Sequence, residues 1–157
     1  MSRLIPLSIV DSYVDGIGLL EVRIAGSIPI ATSTGAETSR GEAMRFLAEL
    51  PWNPDAILNA TALKWQVIDD RSLLVSIDTA GGPAQVMLRL DAAGDIVAIH
   101  ADRRPRAGAT PARWVGRFDR YEQVGAYRFP RHGEVAWDLP EGEFIYWRGD
   151  ILSIIGS

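Results

Sequence analysis

A chain of 157 residues is the size of one domain, large enough to bury a core without staples. It has no cysteine, which rules out disulfides, thiolate catalysis and thiolate metal sites. The net charge is -4 and the basic residues are scattered, which argues against sequence-independent nucleic-acid binding, since that needs a concentrated positive face. No apolar run approaches the roughly 18 residues of a membrane span, so none is expected. Met1 to Val10 lacks the long apolar stretch and small-residue cleavage site of a signal peptide, so the sequence reads as cytoplasmic.

Arg3 to Tyr13 reads as a strand, with Pro6 at an edge or bulge. Asp15-Gly16 is a hairpin signal, because both turn positions tolerate positive φ. Leu19 to Ala25 returns as a second strand, and Ile28 to Thr32 follows the Gly26-Ser27 turn as a third. Gly35 to Thr38 reads as a loop. The clear helix is Arg40 to Leu50, opened by a Ser39-x-x-Glu42 capping box, with Ala43, Phe46, Leu47 and Leu50 on one face. Pro51 ends it, and Asn53 caps a second short turn with Pro54 at its first position.

From there the apolar period switches to two. Lys64 to Ile68, Leu73 to Thr79, Gln85 to Leu90 and Ile96 to Ala101 read as strands, divided by turns at Asp69-Asp70, Ala80 to Pro83 and Asp91 to Gly94. Arg103 to Pro111 reads as the longest loop, polar and proline-bearing. Arg113 to Gln123 is a strand, Gly125 its turn, and Tyr127 to Phe129 a short return. Glu134 to Leu139 and Phe144 to Ile154 form a last hairpin across Pro140-Glu141-Gly142. The count is about ten strands, which one curled sheet can hold.

The chemistry-bearing residues are sparse. His100 with Asp102, and His132 with Glu134, are i, i+2 pairs that each project from one strand face. Were those strands neighbours, the four side chains would suit a zinc, manganese or iron ion, or Glu134 with a histidine would serve acid–base chemistry; otherwise they are solvated surface residues. No Gly-x-Ser-x-Gly elbow and no phosphate loop is present, and Gly16-Ile17-Gly18 belongs to a hairpin. Arg103, Arg104 and Arg106 crowd one segment, with Arg113, Arg117, Arg120 and Arg128 downstream. Such a cluster either grips a carboxylate or phosphate at a cavity mouth or forms a solvated face paired with Asp102, Asp119 and Glu122. Trp65, Trp114, Phe118, Trp137, Phe144, Tyr146 and Trp147 lie on predicted strands, as core or as cavity lining.

Three stretches carry a resemblance. They are Arg45-Phe46-Leu47-Ala48-Glu49-Leu50-Pro51-Trp52 with Pro54, Ala56 and Leu58; Trp114-x-Gly116-x-Phe118-x-x-Tyr121 with Gly125 and Pro130; and Gly133-Glu134-Val135-x-Trp137 with Tyr146-Trp147-x-Gly149. On these the chain resembles an uncharacterised bacterial domain family of unknown function, over Asp11 to Ile154. Its coarser layout is similar to the lipoprotein-carrier and lipoprotein-localisation fold, in which a curved antiparallel half-barrel closes over helices and accepts acyl chains. The resemblance implies further strands ahead of Met1, hence a shortened domain with a free sheet edge, and a free edge invites a homodimer.

The expectation is therefore a single α+β domain: a large curved antiparallel β-sheet, a half-barrel-like meander, packed on one helical segment. Its expected role is a non-catalytic binding module for an apolar or amphipathic, lipid-like small molecule, with no cofactor. Phe46, Leu50, Trp52, Trp65, Trp114, Phe118, Trp137 and Tyr146 are the expected lining, with Arg103 or Arg117 at the rim. A metal-dependent or acid–base enzyme using His100, His132 and Glu134, and a structural dimerisation domain, are the alternatives.

Overall fold

A computed structural model describes residues 7–14, 17–24, 28–33, 35–106 and 108–153, with side chains from residue 35 onwards (107 excepted). The start of the first expected strand at Arg3, the Asp15-Gly16 and Gly26-Ser27 turns and the last strand's end at Ile154 lie outside the described residues. Three strands come first: β1 (Leu7–Val14), β2 (Ile17–Ile24) and β3 (Ile28–Ser33), antiparallel in that order. The helical segment follows as α1 (Ala36–Ala48), a 3-10 turn at Leu50–Trp52, and α2 (Pro54–Asn59). Then come β4 (Lys64–Asp69), β5 (Ser72–Ile77), β6 (Ala84–Leu90), β7 (Ile96–Arg106), β8 (Ala109–Val124), β9 (Tyr127–Leu139) and β10 (Gly142–Asp150). These seven make one antiparallel sheet in which neighbours in sequence are neighbours in space.

The described strands thus form two sheets rather than one. The helical segment separates β3 from β4 in sequence, and α1 lies against β1 and β2 as well as against β5, β6 and β7. A helix held between two sheets is buried around much of its circumference. Ala43, Met44, Leu47 and Ala48 are buried, and so are Ser39, Gly41 and Glu42. The expected single apolar face was too narrow for that reason. The expected capping box is also absent: α1 begins one turn earlier, at Gly35, whose φ of 123° suits only glycine, and Ser39 and Glu42 sit inside the helix. Asn53 does cap α2, its Oδ1 accepting from the Ala56 N–H at 3.1 Å.

The helix-facing side of the large sheet is built in cross-strand rows. Val75 opposes Val86, Leu88 opposes Ile99, and Ala101 opposes Trp114; all six are buried under α1. The turn between β5 and β6 touches the start of α1 so closely that a Cβ on Gly81 would fall 2.1 Å from the Ala36 carbonyl oxygen.

Two expected loops are strand. Within Arg103 to Pro111, β7 runs on to Arg106 and pairs there with Ala109 at the start of β8, and the stretch from Tyr127 through Leu139 is one continuous strand. The prolines that read as breakers sit where one side of the strand is unpaired. Past His100, β7 pairs with β8 alone, so Pro105 removes no ladder bond to β6. Pro111 lies beyond the pairing of β8 with β9, which begins at Arg113, and Pro130 beyond that of β9 with β10, which ends at His132.

Candidate functional site

Strand alternation places Trp114, Gly116 and Phe118 of β8 on the helix-facing side, opposite Trp137, Val135 and Gly133 of β9. Continuing across, β10 carries a register irregularity between Ile145 and Trp147. An extra residue there lets the consecutive Tyr146 and Trp147 both turn inward, which strict alternation forbids. The end of α1 (Arg45, Ala48, Glu49) and Trp52 from the 3-10 turn cover this aromatic floor. Between floor and cover lies a cleft of about 490 Å³.

Trp52 is the hinge of the arrangement. Its indole N–H donates to the Pro130 carbonyl at 3.0 Å. Its ring meets Phe118 edge-on at 4.9 Å and Trp147 at 6.1 Å. It stands directly over Gly133, where a Cβ would meet the ring at 2.7 Å, so this β9 position has to be glycine for Trp52 to lie down on the sheet. The Trp114 indole N–H donates to the Tyr146 hydroxyl at 2.9 Å, and Tyr146 stacks on Trp137 with ring centroids 6.2 Å apart. These contacts lock the floor into one arrangement.

The cleft holds one unusual charge. Arg104 lies over the Trp114 ring at 4.2 Å and within 5.7 Å of Trp137. Its Nη2 donates to the Gly41 carbonyl at 3.2 Å, and its buried Nε has no acceptor among the described residues. Burial pulls its pKa down, opposed by hydrogen bonding and attraction from Tyr146 and by the charge of Glu42. Arg104 faces inward because the pairing of β7 with β8 shifts register between Ala101 and Arg104. Without that bulge, the parity of Ile99 and Ala101 would bring Arg103 inward instead.

The residues singled out from sequence distribute as follows. Trp52, Trp114, Phe118 and Tyr146 line the cleft together, and Trp137 stacks behind Tyr146. Phe46 lines an adjoining hollow that shares Glu49, Trp52 and Trp147 with the cleft. Leu50 is fully buried in the core, and Trp65 is 41% exposed on the edge strand β4, away from the cleft. Arg103 borders a separate hollow with Arg40, His100 and Asp102. Arg117 is on the opposite face of β8, bonded to Glu134 at 3.1 Å and to Glu143. Arg104 stands in the expected arginine cluster, Trp147 among the strand aromatics and Gly116 and Gly133 in the motifs, but none is in the expected lining, because bulges and ring-over-glycine contacts leave no periodic signal.

The two His-x-acid pairs do not meet. His100 is on β7 opposite Val115, His132 is on β9 opposite Asp119, and β8 runs between them. His132 Nδ1 sits 2.9 Å from Asp150, while desolvation and the nearby Arg113 lower the pKa of His100. Glu134 is bonded by Arg148 and Arg117, which hold its carboxyl below the usual range and so ionised, unsuited to donate a proton. Among the described residues no three histidine or acidic side chains converge as a metal site, and no helix is long and apolar enough to cross a membrane.

No curated protein and no solved structure matches this sequence. A family model described as a family of unknown function (DUF6544) matches residues 1–149, nearly the whole chain, and the protein belongs to that family.

Proposed function

We propose that this protein is a binding module whose cleft takes up an apolar or amphipathic small molecule. The observation that carries the reading is the cleft of about 490 Å³ walled by Trp52, Trp114, Phe118, Tyr146 and Trp147. Small-molecule sites are concave, mostly apolar and roughly 300–1,000 Å³, with a few fixed polar groups. The register shifts in the β4–β5, β6–β7, β7–β8 and β9–β10 pairs are local bends of the kind a half-barrel needs, and we read the layout as that of the lipoprotein-carrier fold. An enzyme built on His100, His132 and Glu134 draws little support from side chains held apart and engaged with their own neighbours.

Native mass spectrometry of freshly purified protein, with a denatured control, tests the reading. A lipid-sized adduct lost on denaturation is expected. A protein that carries no adduct and takes up neither dodecanol nor dodecanoate when they are added would refute it.

A second reading concerns the sheet edge. Every residue of β4 is exposed, including Trp65 and Val67, and its outer backbone groups have no strand partner among the described residues. Such an edge is a template for another strand, and we propose a second copy of this chain as its partner. A dimer mass by light scattering at micromolar concentration is expected, and a monomer mass contradicts it.

A further inference from the structure

The cleft is lined mostly by apolar side chains, and one of the charged residues among them is chemically specific. Of the two arginines lining it, Arg45 is paired with Glu49 at 3.0 Å. Among the described residues Arg104 has no carboxylate within ion-pair distance. Its side chain is largely buried, its Nε has no acceptor among the described residues, and its guanidinium carbon lies 4.2 Å from the Trp114 ring centroid. Arg106, likewise without an ion pair among the described residues, lies 5.2 Å from the Trp137 ring, so two arginines share that end of the aromatic floor. Glu42 is the nearest acidic group acting on Arg104, and its own carboxyl is pushed up by burial.

A largely buried cation that no carboxylate pairs directly among the described residues is costly to hold there. The bulge between Ala101 and Arg104 turns the guanidinium inward from a strand whose parity would have left it in water. A guanidinium presents a planar fork of donors that matches a carboxylate, and such a charge-assisted pair is stronger than a neutral hydrogen bond.

We propose that Arg104 is the anchor for an anionic head group, so that the ligand class is an amphiphile with a carboxylate at one end and an acyl chain at the other. The inference rests on the reading of the cleft as a small-molecule site. The acyl chain would lie along Trp114, Phe118, Trp52 and Trp147, leading outward to the adjoining hollow at Phe46 and Ile151.

The test compares dodecanoate with dodecanol, which have the same chain and differ in the head group. Binding is read by quenching of tryptophan fluorescence. Dodecanoate is expected to bind about tenfold tighter or more, the span of one charge-assisted hydrogen bond. Arg104→Met, close in shape and without charge, should abolish that preference while keeping dodecanol binding. Equal affinity of the two for the native protein, or a preference that survives in Arg104→Met, overturns the anion anchor and leaves the cleft reading standing. Failure of both to bind overturns the cleft reading and the inference with it. Should Arg104→Met not fold, the native protein still decides: the Arg104 Nε–H nuclear magnetic resonance should move with dodecanoate and stay with dodecanol. Movement with neither, or with both alike, refutes the anchor.

Discussion

The two faces of strands β8 to β10 come from the same residues read alternately, yet they carry opposite chemistry. On the outer face, Arg113 approaches Asp102, Arg117 bonds Glu134 and Glu143, and Arg148 bonds Glu134. On the helix-facing side, Trp114, Gly116, Phe118, Val135 and Tyr146 form an aromatic floor, and Arg104 beside them is in no ion pair among the described residues. The difference teaches how to read an arginine-rich sheet. A cation answered by a carboxylate across the strand is part of a solvated surface, worth little by itself. A cation carried inward without such a carboxylate is the observation on which the proposed anchor rests.

The comparison can be broken first by damaging what holds the inner face together. Leu47 is fully buried in α1 between the two sheets. Leu47→Ala should destabilise the protein by about 2–5 kcal/mol, measured by urea unfolding. A next, more local break is Gly133→Val. Its added side chain collides with the Trp52 ring, so stability should fall by about 1–3 kcal/mol and dodecanol binding should be lost. Unchanged binding in a folded Gly133→Val would show that Trp52 is not the cover of a working site.

The outer face should respond far more weakly. Arg117→Ala should cost less than about 1 kcal/mol, shrinking further in high salt, and leave ligand affinity unchanged. It should also alter the acid limb. Glu134 is held below its ordinary 4.5, first by the Arg148 hydrogen bond and then by Arg117. A depressed folded-state pKa contributes stability that is present above the unfolded value and lost as pH falls through the folded one. Unfolding measured below pH about 4.5 should therefore be shallower in Arg117→Ala than in the native protein. A steeper acid limb in the variant would contradict that assignment.

What was legible in the sequence was whatever repeats. Alternation marked the strands from Lys64 onward, the 3.6 period marked α1, and Asn53-Pro54 marked the cap of α2. Four cleft-lining aromatics, Trp52, Trp114, Phe118 and Tyr146, could be named because three of them sit in strand parity or next to a helix stop. The anchor and the second β10 aromatic could not. Arg104 falls in the polar, proline-bearing stretch Arg103 to Pro111 that reads as a loop, whereas β7 tolerates Pro105 on an unpaired edge. One bulge then exchanged the inward position from Arg103 to Arg104, and another brought Trp147 inward beside Tyr146. A bulge shifts parity by one residue and is written in tertiary strain, not in hydropathy. The division into two sheets was hidden for a related reason, since hydropathy marks α1 as buried without saying on how many sides.

The central claim is that the working surface of this protein is the cleft under Trp52, and its five tryptophans report on it individually. An amide spectrum of the indole N–H groups, titrated with dodecanoate, separates Trp52, Trp114 and Trp147 in the cleft from Trp65 on the exposed edge. The account expects the first three resonances to move together with one saturating affinity while Trp65 stays in place. Resonances that do not move, or movement at Trp65 without movement at Trp52, would contradict it.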